Sequence, residues 1–104
     1  MAADRATWVQ IVRVPEAGVS DFQRYEDIVL PLLPAHEGRL EERYRDAEGT
    51  FEVHVVSFPG DAELAAYRAD SRRQEVAHLL AGSGAVAELV QVSRVTDNDA
   101  ARMQ

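Results

Sequence analysis

Residues 51–60, FEVHVVSFPG, decide the fold of this chain, because both faces of one short strand are apolar. Side chains alternate along an extended segment, so Phe51, Val53 and Val55 share one face while Glu52, His54, Val56 and Phe58 share the other. A half-exposed strand has one wet face, so a strand of this composition needs cover on both sides. Glu52 and His54 impose a second condition, since a carboxylate and an imidazole enter an apolar interior only with polar partners.

Upstream, GRLEERYRD (38–46) runs into Asp46-Ala47-Glu48-Gly49, a turn signal, and reads as the first arm of a hairpin with 51–58. With the turn at 46–49, residue 44 opposes 52 and residue 42 opposes 54, which groups Glu42, Tyr44, Glu52 and His54 on one side. TWVQIVRV (7–14) is β-branched and aromatic and predicts the first strand; VAELVQVSRV (86–95) predicts the last. Between the first two strands, Ser20 and Gln23 match a capping box ahead of the stripe Phe22, Tyr25, Ile28, Val29, Leu32 and Leu33. Pro31 predicts a kink or tightening of that helix, which Pro34 and Gly38 end. Asp61 is the expected N-cap of ELAAYRA, and Ser71 with Gln74 suggests a second capping box after a break near Asp70. Gly82 and Gly84 close this second helical region.

The order strand, helix, strand, strand, helix, strand predicts an α+β fold: a ferredoxin-like βαββαβ unit with a four-stranded antiparallel sheet and both helices on one face. The expected division is an N-terminal extension at 1–6, the domain at 7–95 and a polar tail at 96–104. Helices on one face leave the other apolar face bare, and a second copy of the chain is the economical cover, giving a homodimer through the sheet faces.

Composition narrows the function classes. A net charge of −7 opposes sequence-independent nucleic-acid binding, which needs a basic surface. Cysteine is absent, which removes disulfides, thiolate nucleophiles and cysteine-held metals. No run of apolar residues is long enough to span a membrane and MAADRATW does not resemble a signal peptide, so the expected compartment is cytoplasmic. AGSGA lacks a P-loop lysine and no GxSxG elbow occurs.

The run RYEDIVLPLLPAHEGRL, then EVHVVSFPGDAELAAYRADSRR and AHLLAGSG, resembles the dimeric α/β-barrel superfamily over nearly the whole chain, from Trp8 to Val95. It looks most like small stand-alone members of unknown function and more distantly like antibiotic-biosynthesis monooxygenases. The resemblance rests on the corner His36, Gly38 and Arg39 and on the exit Phe58-Pro59 with Tyr67 downstream. Glu37 stands where the family more often has glycine, and Asp70-Ser71 where it commonly has Asp-Pro. The resemblance implies a ligand pocket between sheet and helices in each subunit, without selecting a reaction.

Among the candidate residues, His54 beside Glu52 is suited to take a proton from an enolisable carbon or a phenol, the carboxylate favouring the charged imidazole. The alternative is a hydrogen-bonded polar network at the sheet edge or dimer interface. His36, at the end of the first helix, is either a partner of the helix carbonyls or an acid or base at the pocket rim. Tyr25, Tyr44, Tyr67, Trp8 and Phe58 are candidate substrate-binding walls, each equally explicable as core or boundary packing. Arg73, in a patch with Arg68 and Arg72, offers an anchor for a ligand carboxylate or phosphate, against the alternative of surface pairing with Glu63, Asp70 and Glu75. The histidines lack a metal-ligand spacing, so neither metal nor cofactor is expected. The expected function is a small cofactor-independent enzyme acting on an aromatic or polyketide-like metabolite by proton transfer, cyclisation, isomerisation or monooxygenation. The alternative is a non-catalytic dimeric small-molecule-binding or accessory protein.

Overall fold

The computed structural model describes residues 4–95. The expected tail at 96–104 and the first residues of the expected N-terminal extension lie outside the described residues. The strands are β1 (Ala6–Arg13), β2 (Arg39–Arg45), β3 (Phe51–Phe58) and β4 (Val86–Val92). They form one antiparallel sheet in the order β2-β3-β1-β4, which is the ferredoxin-like arrangement expected from the element order. Among the described residues no helix is long and apolar enough to cross a membrane.

After β1, a 3-10 turn at Glu16–Gly18 leads into α1 (Val19–Val29). Gly18, not Ser20, caps α1, so the expected capping box does not form and Ser20 lies inside the helix. The cause is steric. A Cβ on Gly18 would stand 1.8 Å from the Ser83 carbonyl oxygen, so only glycine lets the start of α1 abut the end of the second helical region. Beyond Val29 the chain tightens into a 3-10 helix, Leu30–His36, as Pro31 requires. It stops at Glu37, which takes the left-handed conformation (φ 58°, ψ 23°) that a glycine would adopt with less strain.

The second helical region has three pieces, α2 (Asp61–Arg68), α3 (Ser71–Glu75) and α4 (Ala77–Ser83). The break near Asp70 is as expected, but the caps fall one residue earlier than the sequence suggested. Gly60 precedes α2 with no side-chain cap, and Asp70, rather than Ser71, caps α3 by accepting from the Arg72 amide. A further break at Val76 was not expected. Gly84 ends α4 in the left-handed conformation.

The helices pack on one face of the sheet. Trp8, Leu33, Val56, Phe58 and Tyr67 form one core cluster, and Val12, Val14 and Phe22 another. Trp8 meets Phe58 edge-on at 5.9 Å, and Phe58 meets Tyr67 at 5.8 Å. On the opposite face Val9 and Ile11 of β1 oppose Val55 and Val53 of β3, while on β4 Val90 opposes Val9 and Val92 opposes Thr7. Among the described residues nothing covers this face: Val86 is 72% and Val90 41% exposed.

The hairpin pairs differently from the expected register. Leu40 opposes Val56, but a bulge at Glu41 shifts the ladder, so that Arg43 opposes His54 and Arg45 opposes Glu52. Tyr44 therefore pairs with Val53, and Glu42 with Val55, on the open face. The expected grouping of Glu42 and Tyr44 with Glu52 and His54 is corrected by this single extra residue, because a one-residue slip turns every side chain over.

Candidate functional site

Glu52 and His54 point into the helix-covered side, where Glu52 is fully buried and His54 nearly so. Three elements supply their partners. From β2, Arg43 Nε donates to Glu52 Oε1 at 2.7 Å and Arg45 Nε to Glu52 Oε2 at 2.9 Å. From α1, Glu26 accepts from Arg43 Nη2 at 3.1 Å. His54 Nε2 lies 2.8 Å from Glu52 Oε1 and 2.7 Å from Glu26 Oε2. With acceptors on both sides this nitrogen carries a proton, but one N–H cannot serve both at once. The good geometry is to Glu52, which leaves Glu26 Oε2 buried without a hydrogen-bonded partner despite the short separation.

The electrostatics follow from these contacts. Burial opposes ionisation of Glu52, but its close contacts with Glu26, His54, Arg43 and Arg45 together outweigh it and hold its pKa down at about 2. Burial also opposes the charged imidazole of His54, yet the nearby carboxylates of Glu26 and Glu52 raise its pKa above the ordinary value. Glu26 is raised as well, chiefly by burial and further by the neighbouring Glu52, with His54 pulling the other way. Glu52 is thus a fixed anion, while Glu26 and His54, both raised above their ordinary values and 2.7 Å apart, form a pair able to share a proton.

Glu26 and His54 both line a cavity of about 300 Å³ between the sheet and the helices. Gln10, Val12, Val56 and Phe58 form its floor on the strands, with Leu89 of β4 beside them. Phe22, Tyr25 and Val29 of α1 and Leu64 and Tyr67 of α2 form its roof, and Leu33, Leu80, Arg68 and Arg73 complete it. This is the size and mixed character of a small-ligand site, mostly apolar with a few convergent polar groups. Tyr67 donates to the Val29 carbonyl at 2.9 Å, and burial lifts its pKa to about 12, so its phenol stays protonated.

Of the candidate residues read from the sequence, His54, Tyr25, Phe58, Tyr67 and Arg73 line the cavity. Glu52 stands behind His54, and Trp8 stands behind Phe58 in the core. His36 is not at the rim: its Nε2 lies 2.7 Å from Asp70 Oδ2 and its ring packs edge-on to Tyr67, so it braces the start of α3. Tyr44 is on the open face, 56% exposed, and donates to Glu42. Of the arginine patch, Arg72 pairs with Asp70. Arg73 instead donates to the Tyr25 hydroxyl at 2.9 Å and stacks over the Tyr67 ring at 4.5 Å.

The sequence reading missed Glu26, Arg43, Arg45 and Gln10. Glu26 carried a usable signal: it falls four residues after Phe22 and three before Val29, inside the apolar stripe of α1, where a solvated carboxylate does not belong. Glu26, Glu52 and His54 also place one potential ligand atom each within 4.8 Å of one another, a spacing a cation could bridge. Arg43 and Arg45 already bring positive charge to both carboxylates, so a divalent ion would enter against two guanidiniums.

No protein-family model and no curated protein matches the sequence. Solved structures do match in fold. A protein from Pseudomonas aeruginosa superposes with a TM-score of 0.73 at 11% identity, over 92% of this chain and 100% of that one. A proposed antibiotic biosynthesis monooxygenase from Nitrosomonas europaea gives 0.68 at 14% identity, covering 93% and 98%. A dimeric ferredoxin-like protein of unknown function from Jannaschia sp. CCS1 gives 0.58 at 18% identity, covering 83% and 99%. The ferredoxin-like fold expected from the sequence is therefore shared with both kinds of protein named in the resemblance. At these identities the likeness is one of fold.

Proposed function

We propose that this chain is a small enzyme that transfers a proton to or from an aromatic or polyketide-like metabolite held in the cavity, with Glu26 and His54 as the acid-base pair. The observation that carries this reading is Glu26 Oε2, a buried acceptor without a bonded partner, on the wall of a mostly apolar cavity and 2.7 Å from the His54 imidazole. Burial raises the Glu26 carboxyl above its ordinary value and the neighbouring carboxylates raise the His54 imidazole, so both are shifted in the direction that favours holding a proton for transfer. Glu52, locked by Arg43 and Arg45, positions His54 without moving a proton itself. The proton transfer needs no cofactor, and the onward reactions it permits are cyclisation or isomerisation of the resulting carbanion or phenolate, or its oxygenation with dioxygen as the oxidant. The subunit works as a two-fold dimer joined through the open sheet faces, a reading supported by the exposed valines and by the dimeric ferredoxin-like neighbour.

The test uses 2-tetralone, an aromatic ketone with enolisable protons. In deuterated buffer the wild type accelerates exchange at the carbon next to the carbonyl, and Glu26→Gln and His54→Gln each lower the rate about a hundredfold. Exchange at the buffer rate while the ketone binds would leave the second reading, a non-catalytic small-molecule-binding or accessory protein. That reading draws on the saturation of Glu52 by Arg43, Arg45 and His54, a network able to serve structure alone.

A further inference from the structure

Two cationic side chains on the cavity wall have no acidic partner. Among the described residues, the ion pairs engage Arg24, Arg43, Arg45, Arg72, His36 and His54, and neither Arg68 nor Arg73. Arg73 is the more constrained of the two. Its Nη2 is committed to the Tyr25 hydroxyl, its plane lies over the Tyr67 ring, and its Nε is buried with no hydrogen-bond partner. A guanidinium held by one tyrosine hydroxyl and lying over the ring of another, with a donor left over, is pre-organised for an anion, and its planar fork suits a carboxylate. The remaining charges support a single negative group. Glu26 shares the cavity and its charge is met by Arg43 and His54, so Arg68 and Arg73 are the cations left for a ligand, and a dianion would meet Glu26.

We infer that the cavity takes an aromatic or similarly flat apolar acid, whose one carboxylate is held by Arg73 with Arg68 beside it. The apolar body then lies against Phe58, Val56, Leu64 and Leu89. This rests on the reading of the cavity as a ligand site, and deepens it by specifying the charge of the ligand. It also gives the proton transfer a direction in space, since an anchored carboxylate limits which carbon reaches Glu26 and His54.

The experiment compares 2-naphthoate with 2-naphthamide, nearly identical in shape and differing in charge, by calorimetric titration of the full chain. Ligand-induced shifts of the Leu64, Leu80 and Leu89 methyl resonances locate the binding. The wild type binds naphthoate about tenfold to a hundredfold more tightly than the amide, the size of effect expected for a charged hydrogen bond. Arg73→Gln abolishes that preference, Arg73→Lys keeps part of it, and Arg72→Gln, at a solvent-facing arginine paired with Asp70, leaves it unchanged. Because both probes are titrated into the same variant, a loss of folding is recognised as loss of both. Equal binding of the two probes to the wild type, or a preference that survives Arg73→Gln, overturns the inference and leaves the cavity as a ligand site. Failure of both probes to bind, or binding that leaves those methyls unshifted, overturns the ligand-site reading and the inference together.

Discussion

At the scale of single residues, the site is a question of how one buried anion is compensated. Glu52 has no exposed surface and is compensated by Arg43, Arg45 and His54 together, so Arg43→Ala or His54→Ala leaves it one partner short and costs about 1–3 kcal/mol. The pH dependence of stability separates the members. Glu52 falls from 4.5 to about 2 in the folded state, so its contribution is present above 4.5 and is lost as pH drops towards 2. His54 is raised above 6.5, so its contribution is present below 6.5 and is lost as pH climbs through the folded value. Glu26, raised from 4.5, contributes stability that is present below 4.5 and is lost as pH climbs through its folded value, so its loss begins at lower pH than that of His54. Thermal melts followed by circular dichroism from acid to alkaline pH therefore give a maximum close to pH 4.5, where the gain from Glu52 ends and the loss from Glu26 begins. His54→Gln flattens the alkaline limb and Glu52→Gln the acid limb; an unchanged alkaline limb in His54→Gln would remove the imidazolium from this account. That Glu52 and His54 need partners was legible from residue type alone. Who those partners are was not, because Glu26, Arg43 and Arg45 lie 7 to 28 positions away along the chain.

At the scale of elements, strand and helix periodicity placed every principal segment, while caps and register depended on contacts between segments. Ser20 and Gln23 carry the local signature of a helix start, yet α1 begins at Gly18 because the end of α4 occupies the space a side chain would need. Gly18→Ala forces its Cβ against the Ser83 carbonyl and costs at least 1–3 kcal/mol by order of magnitude, measurable as a lower urea midpoint with an unchanged slope. A midpoint equal to the wild type would show that α1 and α4 separate at no cost. Glu37 makes the complementary point: the corner keeps its left-handed turn although glycine is absent there, held by the Gly38 and Glu37 amides bonding back to Leu33 and Pro34. The bulge at Glu41 escaped the alternation pattern because GRLEERYRD is too uniformly charged to reveal a slip of one residue. In the fold, Glu41 turns towards Ser57, accepting from its hydroxyl at 2.6 Å, and Arg5 donates to the same oxygen at 2.9 Å.

At the scale of the whole molecule, the two apolar faces of β3 have different fates. Val56 and Phe58 are sealed beneath helices, while Val53 and Val55 share an open face with Val9, Val90 and Val92. Light scattering across dilution is expected to give twice the subunit mass of 11.5 kDa for the wild type. Val90→Glu, a charge placed in that face, is expected to give the subunit mass with an unchanged helical spectrum. A wild type that stays at 11.5 kDa would remove the partner subunit as the cover of this face. The sequence by itself determined the element order, and with it the ferredoxin-like fold, because hydrophobic periodicity and turn chemistry are local properties that survive without knowledge of what packs where. It also determined that both faces of the strand FEVHVVSF are apolar and that its carboxylate and imidazole need partners. Only the tertiary structure decided that Glu52 and His54 enter the helix side, that Glu26 joins them, and that Arg68 and Arg73 face the same cavity without an acidic partner among the described residues. Those outcomes hang on one bulge and on how three helices lie across a sheet, and such choices are made by packing between segments distant in sequence, which no local pattern encodes.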